Sequence, residues 1–207
     1  MSITLILIGI TIAISVWAWN DPSVMDRWIM NPYITAQRGQ YYRLLTSGFL
    51  HADWGHLFFN MFSFYIFGSQ IEQLFAYLFG GNYAIWLIAF YLVAIVVSDL
   101  PTYIKHRNNP GYNSLGASGG VSAVIFAFIM YSPLTKMFLL FIPIGVPGFI
   151  FGILYLAYSF YESRQGRGNI NHDAHLYGAL FGIVFMIVAY PGVLGSFIQQ
   201  VGSWRMF

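Results

Sequence analysis

The chain has no cysteine and very little charge. Without a thiol, disulfides, thiol nucleophiles and Cys-based metal centres are excluded, any metal would have to use His and carboxylate, and the redox compartment leaves no mark. Asp, Glu, Lys and Arg make up 8% of the 207 residues, against about 25% in soluble domains. Hydrophobic residues take 58% and mean hydropathy is +0.65, so the solvent this chain is built for is lipid. The net charge of +2 is small and dispersed, and no Lys/Arg-rich run or aromatic-basic interleave occurs, which argues against a nucleic-acid partner. The N-terminal segment lacks a basic n-region and a small-x-small cleavage site, so it reads as a retained span rather than a signal peptide. No repeat, low-complexity tract or linker interrupts the chain, and residues 1–207 are expected to form a single domain.

What is present is a series of apolar runs. A bilayer core of about 30 Å calls for some 20 residues at about 1.5 Å each. Six spans fit, near 3–19, 55–79, 82–99, 114–132, 147–161 and 173–191, giving an all-α integral membrane bundle. Asn20-Asp21-Pro22 ends the first, Gly80-Gly81-Asn82 turns after the second, and Pro133 and Pro191 close the fourth and sixth. The run from Met137 to Val146 carries Pro143 and Gly145, with Pro147 next. It is either a non-helical lead-in to a short helix or part of a broken one. Residues 20–54 hold Trp28, Tyr33, Tyr41, Tyr42 and Trp54, rings that favour the headgroup level, so this long first loop is expected to lie along the interface.

Consecutive spans alternate direction, so the second, fourth and sixth start on one membrane face. The candidate chemical groups sit near those starts. His56 and Asn60, four apart, share a helix face. Ser118 follows Asn113 and Ser114, either of which suits a cap, and is expected about one turn into the fourth span, roughly 6–8 Å below its start. His175 lies in the first turn of the sixth span, after Asn171 and Asp173, both plausible caps. Gly116 with Gly120 and Gly178 with Gly182 form small-xxx-small pairs that let helix backbones approach, and would bring Ser118 within reach of His175. Such a pair is a candidate nucleophile and general base. The helix start, His56 and Asn60 would supply an oxyanion hole.

Each element has a plainer reading. Intramembrane polar residues can be satisfied by neighbouring helices, GxSG occurs by chance, and the GxSxG elbow of soluble hydrolases is not matched. The coincidence of three at one depth favours a site. The set resembles the rhomboid intramembrane serine proteases over essentially the whole chain, in the minimal six-span bacterial form. The residues that carry the resemblance are Tyr42-Arg43, His51 and His56, Asn60, Gly68 with Glu72, Gly116-Ala117-Ser118-Gly119, and Ala174-His175 with Gly178. The resemblance implies a Ser118–His175 dyad without an acid, and oxyanion donors from His56, Asn60 and the Ser118 amide. It implies structural roles for Arg43 and Glu72, and a fifth span and following loop that gate a substrate helix. It implies hydrolysis of peptide bonds in or next to transmembrane helices of membrane-protein substrates in the lipid bilayer, with no cofactor and no metal.

One position departs from that family. Ser122, four residues after Ser118, stands where rhomboids often carry an aromatic ring that stacks on the catalytic imidazole. Tyr177 or another ring, or a hydrogen bond from Asn171 or Asp173, would have to steady His175 instead. Orientation is contested as well. Arg27, Arg38, Arg43, Lys105, Arg107, Arg164 and Arg167 fall on the face bearing the site, and only Lys136 and Arg205 on the other. The positive-inside rule would put that face in the cytoplasm. The resemblance implies the non-cytoplasmic side of a bacterial inner membrane. Two rival classes use the same residues: a metal site built from His51, His56, His172 and His175, and a non-catalytic module that holds other proteins' spans. Chelator sensitivity tests the first, and fluorophosphonate labelling tests the second.

Overall fold

Ser2 opens helix α1 (Ile3–Asn20), its hydroxyl accepting the Leu5 amide at 3.3 Å. In the computed structural model, residues 2–138, 145–165 and 170–205 are described. Pro143 and Arg167 lie outside them. The free amides of the α1 start are met by a carboxylate from elsewhere in the chain. Glu72 accepts from Ser2 Oγ, Ile3 N and Thr4 N at 2.7, 2.8 and 3.0 Å, which suits the positive end of a helix. Glu72 belongs to α5 (Trp54–Phe79), and one turn before it Gly68 lets α1 approach; a Cβ there would lie 2.9 Å from Thr4 Cγ2.

Residues between α1 and α5 form three short helices, α2 (Pro22–Trp28), α3 (Pro32–Arg38) and α4 (Arg43–Thr46), followed by a tight turn at Ser47–Phe49. Asp21 and Asn31 cap the first two, each with proline in the first turn. Elements of seven residues or fewer show too little periodicity to be read from hydropathy. The long first loop therefore carries more structure than its composition suggests.

After the turn at Gly80–Asn82, where Gly80 takes φ 54°, the chain returns as α6 (Tyr83–His106). This helix runs past the expected end at residue 99, through Pro101. Hydropathy stops at Asp99 and Lys105, but backbone hydrogen bonding does not. Helix α7 (Ser118–Tyr131) starts later than expected. Ser114 instead bridges to Met30 in the first loop, with paired amide bonds at 2.9 and 3.1 Å, and Gly116 adopts φ 123°. Neither Asn113 nor Ser114 caps α7: Asn113 Oδ1 accepts from Asn31 Nδ2 at 3.0 Å, and Ala117 holds the cap position without a side-chain bond. Ser118 is thus the first residue of its helix rather than one turn inside it.

A two-stranded antiparallel ribbon follows, β1 (Lys136–Phe138) with β2 (Gly145–Pro147), Met137 opposite Val146. Pro147 directly precedes α8 (Gly148–Gln165), so the described part of the lead-in is non-helical. Helix α9 (His172–Ala189) stops just before Pro191, and α10 (Val193–Ser203), not foreseen from hydropathy, closes the described chain.

Helix α7 is the centre of the bundle. It is buried on nearly every side from Gly119 to Met130, as a helix apolar all round should be. Around it, Phe64 stacks on Tyr91 at 4.4 Å, and Phe90 packs on Phe181 and Phe185. Large apolar side chains on the outside, among them Tyr65, Tyr77, Ile85, Ile153 and Val188, stay exposed, as expected of a surface facing lipid. By length and composition, Ile3–Asn20, the run Trp54–His106 and His172–Ala189 can cross a membrane, and α7 is a shorter apolar helix. The expected fifth span falls on α8, which ends in Glu162, Arg164 and Gln165.

Candidate active site

The starts of α7 and α9 meet backbone to backbone. A Cβ at Gly178 would overlap the Gly119 carbonyl, and one at Gly182 would overlap the Ala123 carbonyl. Glycine is required at both positions, because the neighbouring atoms are main chain and cannot swing aside. The expected partners, Gly116 and Gly120, are not in this seam. Gly120 faces Tyr91 and Ile95 of α6, and Gly116 faces His56.

This contact sets Ser118, at the head of α7, beside the first turn of α9, where Ala174 O lies 3.3 Å from where a Gly119 Cβ would sit. Ser118 and His175 are both half-buried. No hydrogen bond joins them among the described residues; unliganded catalytic pairs are often longer than in the reacting complex. The amides of Ser118, Gly119 and Gly120 open the helix and so lack intrahelical carbonyls.

His56 stands across from this start. Its backbone amide donates to the cap Asp53 Oδ1 at 2.8 Å, and its Nδ1 accepts from Ala52 N at 3.4 Å. A ring that accepts at Nδ1 carries its proton on Nε2 and presents a donor there. That edge lies against Gly116, whose added Cβ would come within 2.7 Å of His56 Cε1 and 2.9 Å of Nε2. Asn60 is buried, and its Nδ2 donates to His56 O at 2.9 Å, so that among the described residues its second amide hydrogen has no acceptor.

Behind this layer lies His51, fully buried. Ser15 Oγ donates its one proton to Phe49 O at 2.8 Å, so it accepts from His51 Nδ1 at 3.0 Å. The remaining His51 Nε2 then accepts the Ala117 amide, at 3.5 Å, directly before Ser118. Its ring meets His56 edge to face at 4.9 Å. Arg43, also buried, donates through Nη1 to Asp26 O and Ile29 O at 2.8 Å and through Nε to Gln40 Oε1, tying the first loop together. Among the described residues no three His, Asp or Glu side chains are arranged to hold a metal ion.

The groups expected to steady His175 are engaged elsewhere. Tyr177 is exposed. Asn171 caps α9 by accepting from Ala174 N at 3.1 Å, and also accepts from Thr102 Oγ1 at 2.9 Å. Asp173 pairs with Lys105 Nζ at 2.8 Å, and the same ammonium donates to Ser163 O, linking α6, α8 and α9. The ring beside His175 is Tyr155 of α8, with centroids 6.1 Å apart and planes 23° from parallel, while His172 meets the imidazole edge-on at 5.7 Å. Tyr155 was not legible from the sequence. The small side chain at 122 signals room for a ring, but not which of the tyrosines on α8 fills it.

A cavity of about 600 Å³ with mixed polar and apolar walls opens on this side of the bundle. His56, Lys105, Tyr112, Glu162, Asn171 and His172 are among its walls.

A bundle of membrane helices, with polar groups gathered where α5, α7 and α9 start on one face, defines a class of intramembrane protein. Residues 38–192 match the Rhomboid domain, and the chain belongs to the rhomboid family. It is 31% identical over 169 residues to RHOMBOID-like protein 12, mitochondrial, of Arabidopsis thaliana, covering 74% of this chain and 49% of the relative. It is 30% identical over 202 residues to Rhomboid-like protein 11, chloroplastic, of the same plant, covering 89% and 62%. Presenilin-associated rhomboid-like protein, mitochondrial, of Mus musculus is 29% identical over 166 residues, covering 78% and 42%. The chain thus spans roughly half of these relatives' length, from 42% to 62%. Membership supports a multi-pass membrane protein. The relatives' names are mitochondrial and chloroplastic, and give no support to the bacterial inner membrane expected from the resemblance.

Proposed function

We propose that this protein is an intramembrane serine endopeptidase that cleaves peptide bonds in or near the transmembrane helices of membrane-protein substrates. The observation that carries the reading is the glycine-mediated contact of α7 and α9, which sets Ser118 and His175 on adjoining helix starts within a rhomboid domain. Ser118 Oγ attacks the scissile carbonyl as His175 takes its proton. The oxyanion that forms is met by the Ser118 amide, by His56 Nε2–H and by the second hydrogen of Asn60 Nδ2. Return of the proton from His175 to the amine releases one fragment and leaves an acyl-enzyme. Water, activated by the same imidazole, then frees the second fragment and restores Ser118. The cavity bordered by His56 and His172 would hold that water next to the proposed oxyanion side of the site. The site is proposed to open on the non-cytoplasmic side.

A second reading, a rhomboid-like module that binds membrane spans without cleaving them, draws support from the missing Ser118–His175 hydrogen bond. Labelling of detergent-solubilised protein by a fluorophosphonate separates the two. The protease reading expects labelling and turnover of a model transmembrane substrate, both lost in Ser118→Ala and His175→Ala variants that still fold. Undiminished cleavage by Ser118→Ala would overturn it.

A further inference from the structure

We propose that Tyr155 of α8 is the positioning residue that holds the His175 imidazole over Ser118, and that Ser122 of α7 pins Tyr155 in place. The inference rests on reading His175 as the base. The terminal torsion of a histidine side chain is broad and close to two-fold, so an imidazole with no hydrogen-bond partner needs a steric wall to define its plane. Among the described residues His175 has no such partner. Tyr155 supplies the wall: 6.1 Å between centroids and 23° between planes lie within the range of offset aromatic pairs.

The tyrosine ring is itself fixed at both ends. Its hydroxyl is 2.7 Å from Ser122 Oγ, and Ser122 is buried at 3% exposure. Phe126 and Phe151 pack on it at 5.5 and 5.9 Å. Ser122 lies one helical turn beyond Ser118, so the ring that orients the base is anchored to the helix that bears the nucleophile. A side chain as small as serine at 122 is what leaves room for a ring arriving from α8.

The test compares Tyr155→Leu, Tyr155→Phe, Ser122→Ala and the transplant Ser122→Phe/Tyr155→Ala, which regrows a ring from α7 into the vacated space. Steady-state turnover of a transmembrane substrate gives kcat and KM separately. The His175 ring resonances, followed by NMR in a Ser118→Ala background, report orientation without activity. Tyr155→Leu is expected to lower kcat on the order of 10²-fold with little change in KM, as a misplaced catalytic group does. Tyr155→Phe keeps the ring, and Ser122→Ala frees its hydroxyl; each is expected to lose about fivefold, the worth of one hydrogen bond. The transplant is expected to recover kcat above Tyr155→Leu, and His175 resonances are expected to move in Tyr155→Leu but stay near their original positions in Tyr155→Phe. Unchanged kcat and unmoved resonances in Tyr155→Leu would overturn the positioning role. If Tyr155→Leu does not fold, unmoved resonances in Ser122→Ala with no rescue by the transplant would do so. If the unaltered protein shows no turnover, the protease reading falls by itself, and the resonances still decide whether Tyr155 positions His175.

Discussion

His51 is held neutral by its surroundings. Burial, reinforced by the neighbouring His56 and only partly opposed by Asp53, lowers its pKa from 6.5 to about 3. Protonation would also put an N–H on Nε2, facing the Ala117 amide that now donates to it. The unfolded chain takes up this proton first as pH falls, because its pKa is the higher of the two. The stability His51 contributes is therefore complete above pH 6.5 and is lost progressively as pH falls from 6.5 towards 3. The thermal midpoint of the purified protein should fall across that window. A His51→Gln variant should start lower at neutral pH and show a shallower slope. An equal slope in both proteins would remove His51 as the cause. The consequence reaches the site through one bond, since Ala117 immediately precedes Ser118.

The seam between α7 and α9 depends on main-chain approach more than on side-chain fit. Gly178→Ala would drive a methyl group into the Gly119 carbonyl, and neither backbone can yield without separating the helices. We expect destabilisation of roughly 1–3 kcal/mol, as for other overpacked contacts, together with loss of turnover. Gly81→Ala, which meets nothing within 4 Å, serves as the control and should leave the thermal midpoint unchanged. The spacing of Gly178 and Gly182 was readable because small residues four apart share a helix face. Their partners are Gly119 and Ala123 rather than Gly116 and Gly120, because the phase of α7 depends on where the helix begins. With Ser114 drawn into a bridge with Met30, α7 begins at Ser118. Gly119 and Ala123 then occupy the stripe facing α9, and Gly116 serves the His56 ring instead. The short helices α2, α3 and α4 leave no clear hydropathy signal for a related reason. Their ends are set by Asp21 and Asn31 caps, and their stability comes from bonds such as those of Arg43 to distant carbonyls.

Charge across the molecule is strongly lopsided. Lys105 joins the ends of α6 and α8 to the start of α9 on the face that holds the site, whereas Lys136 lies in the ribbon beyond the far end of α7. If the site opens on the proposed non-cytoplasmic side, a reporter fused to the C-terminus should register the cytoplasm; a non-cytoplasmic signal would reverse the orientation and return authority to the positive-inside rule. Lipid as solvent follows from composition, since 58% hydrophobic and 8% charged residues leave little for water to hold. That the polar groups gather on one face follows from the order of the apolar runs, because each crossing reverses direction. Which atoms meet there required the folded chain. Hydropathy records the solvent around each helix but neither the residue at which it starts nor how near its backbone comes to the next. The placing of Gly178 on Gly119, His56 on Gly116 and Tyr155 beside His175 therefore emerged only from packing between segments far apart in sequence.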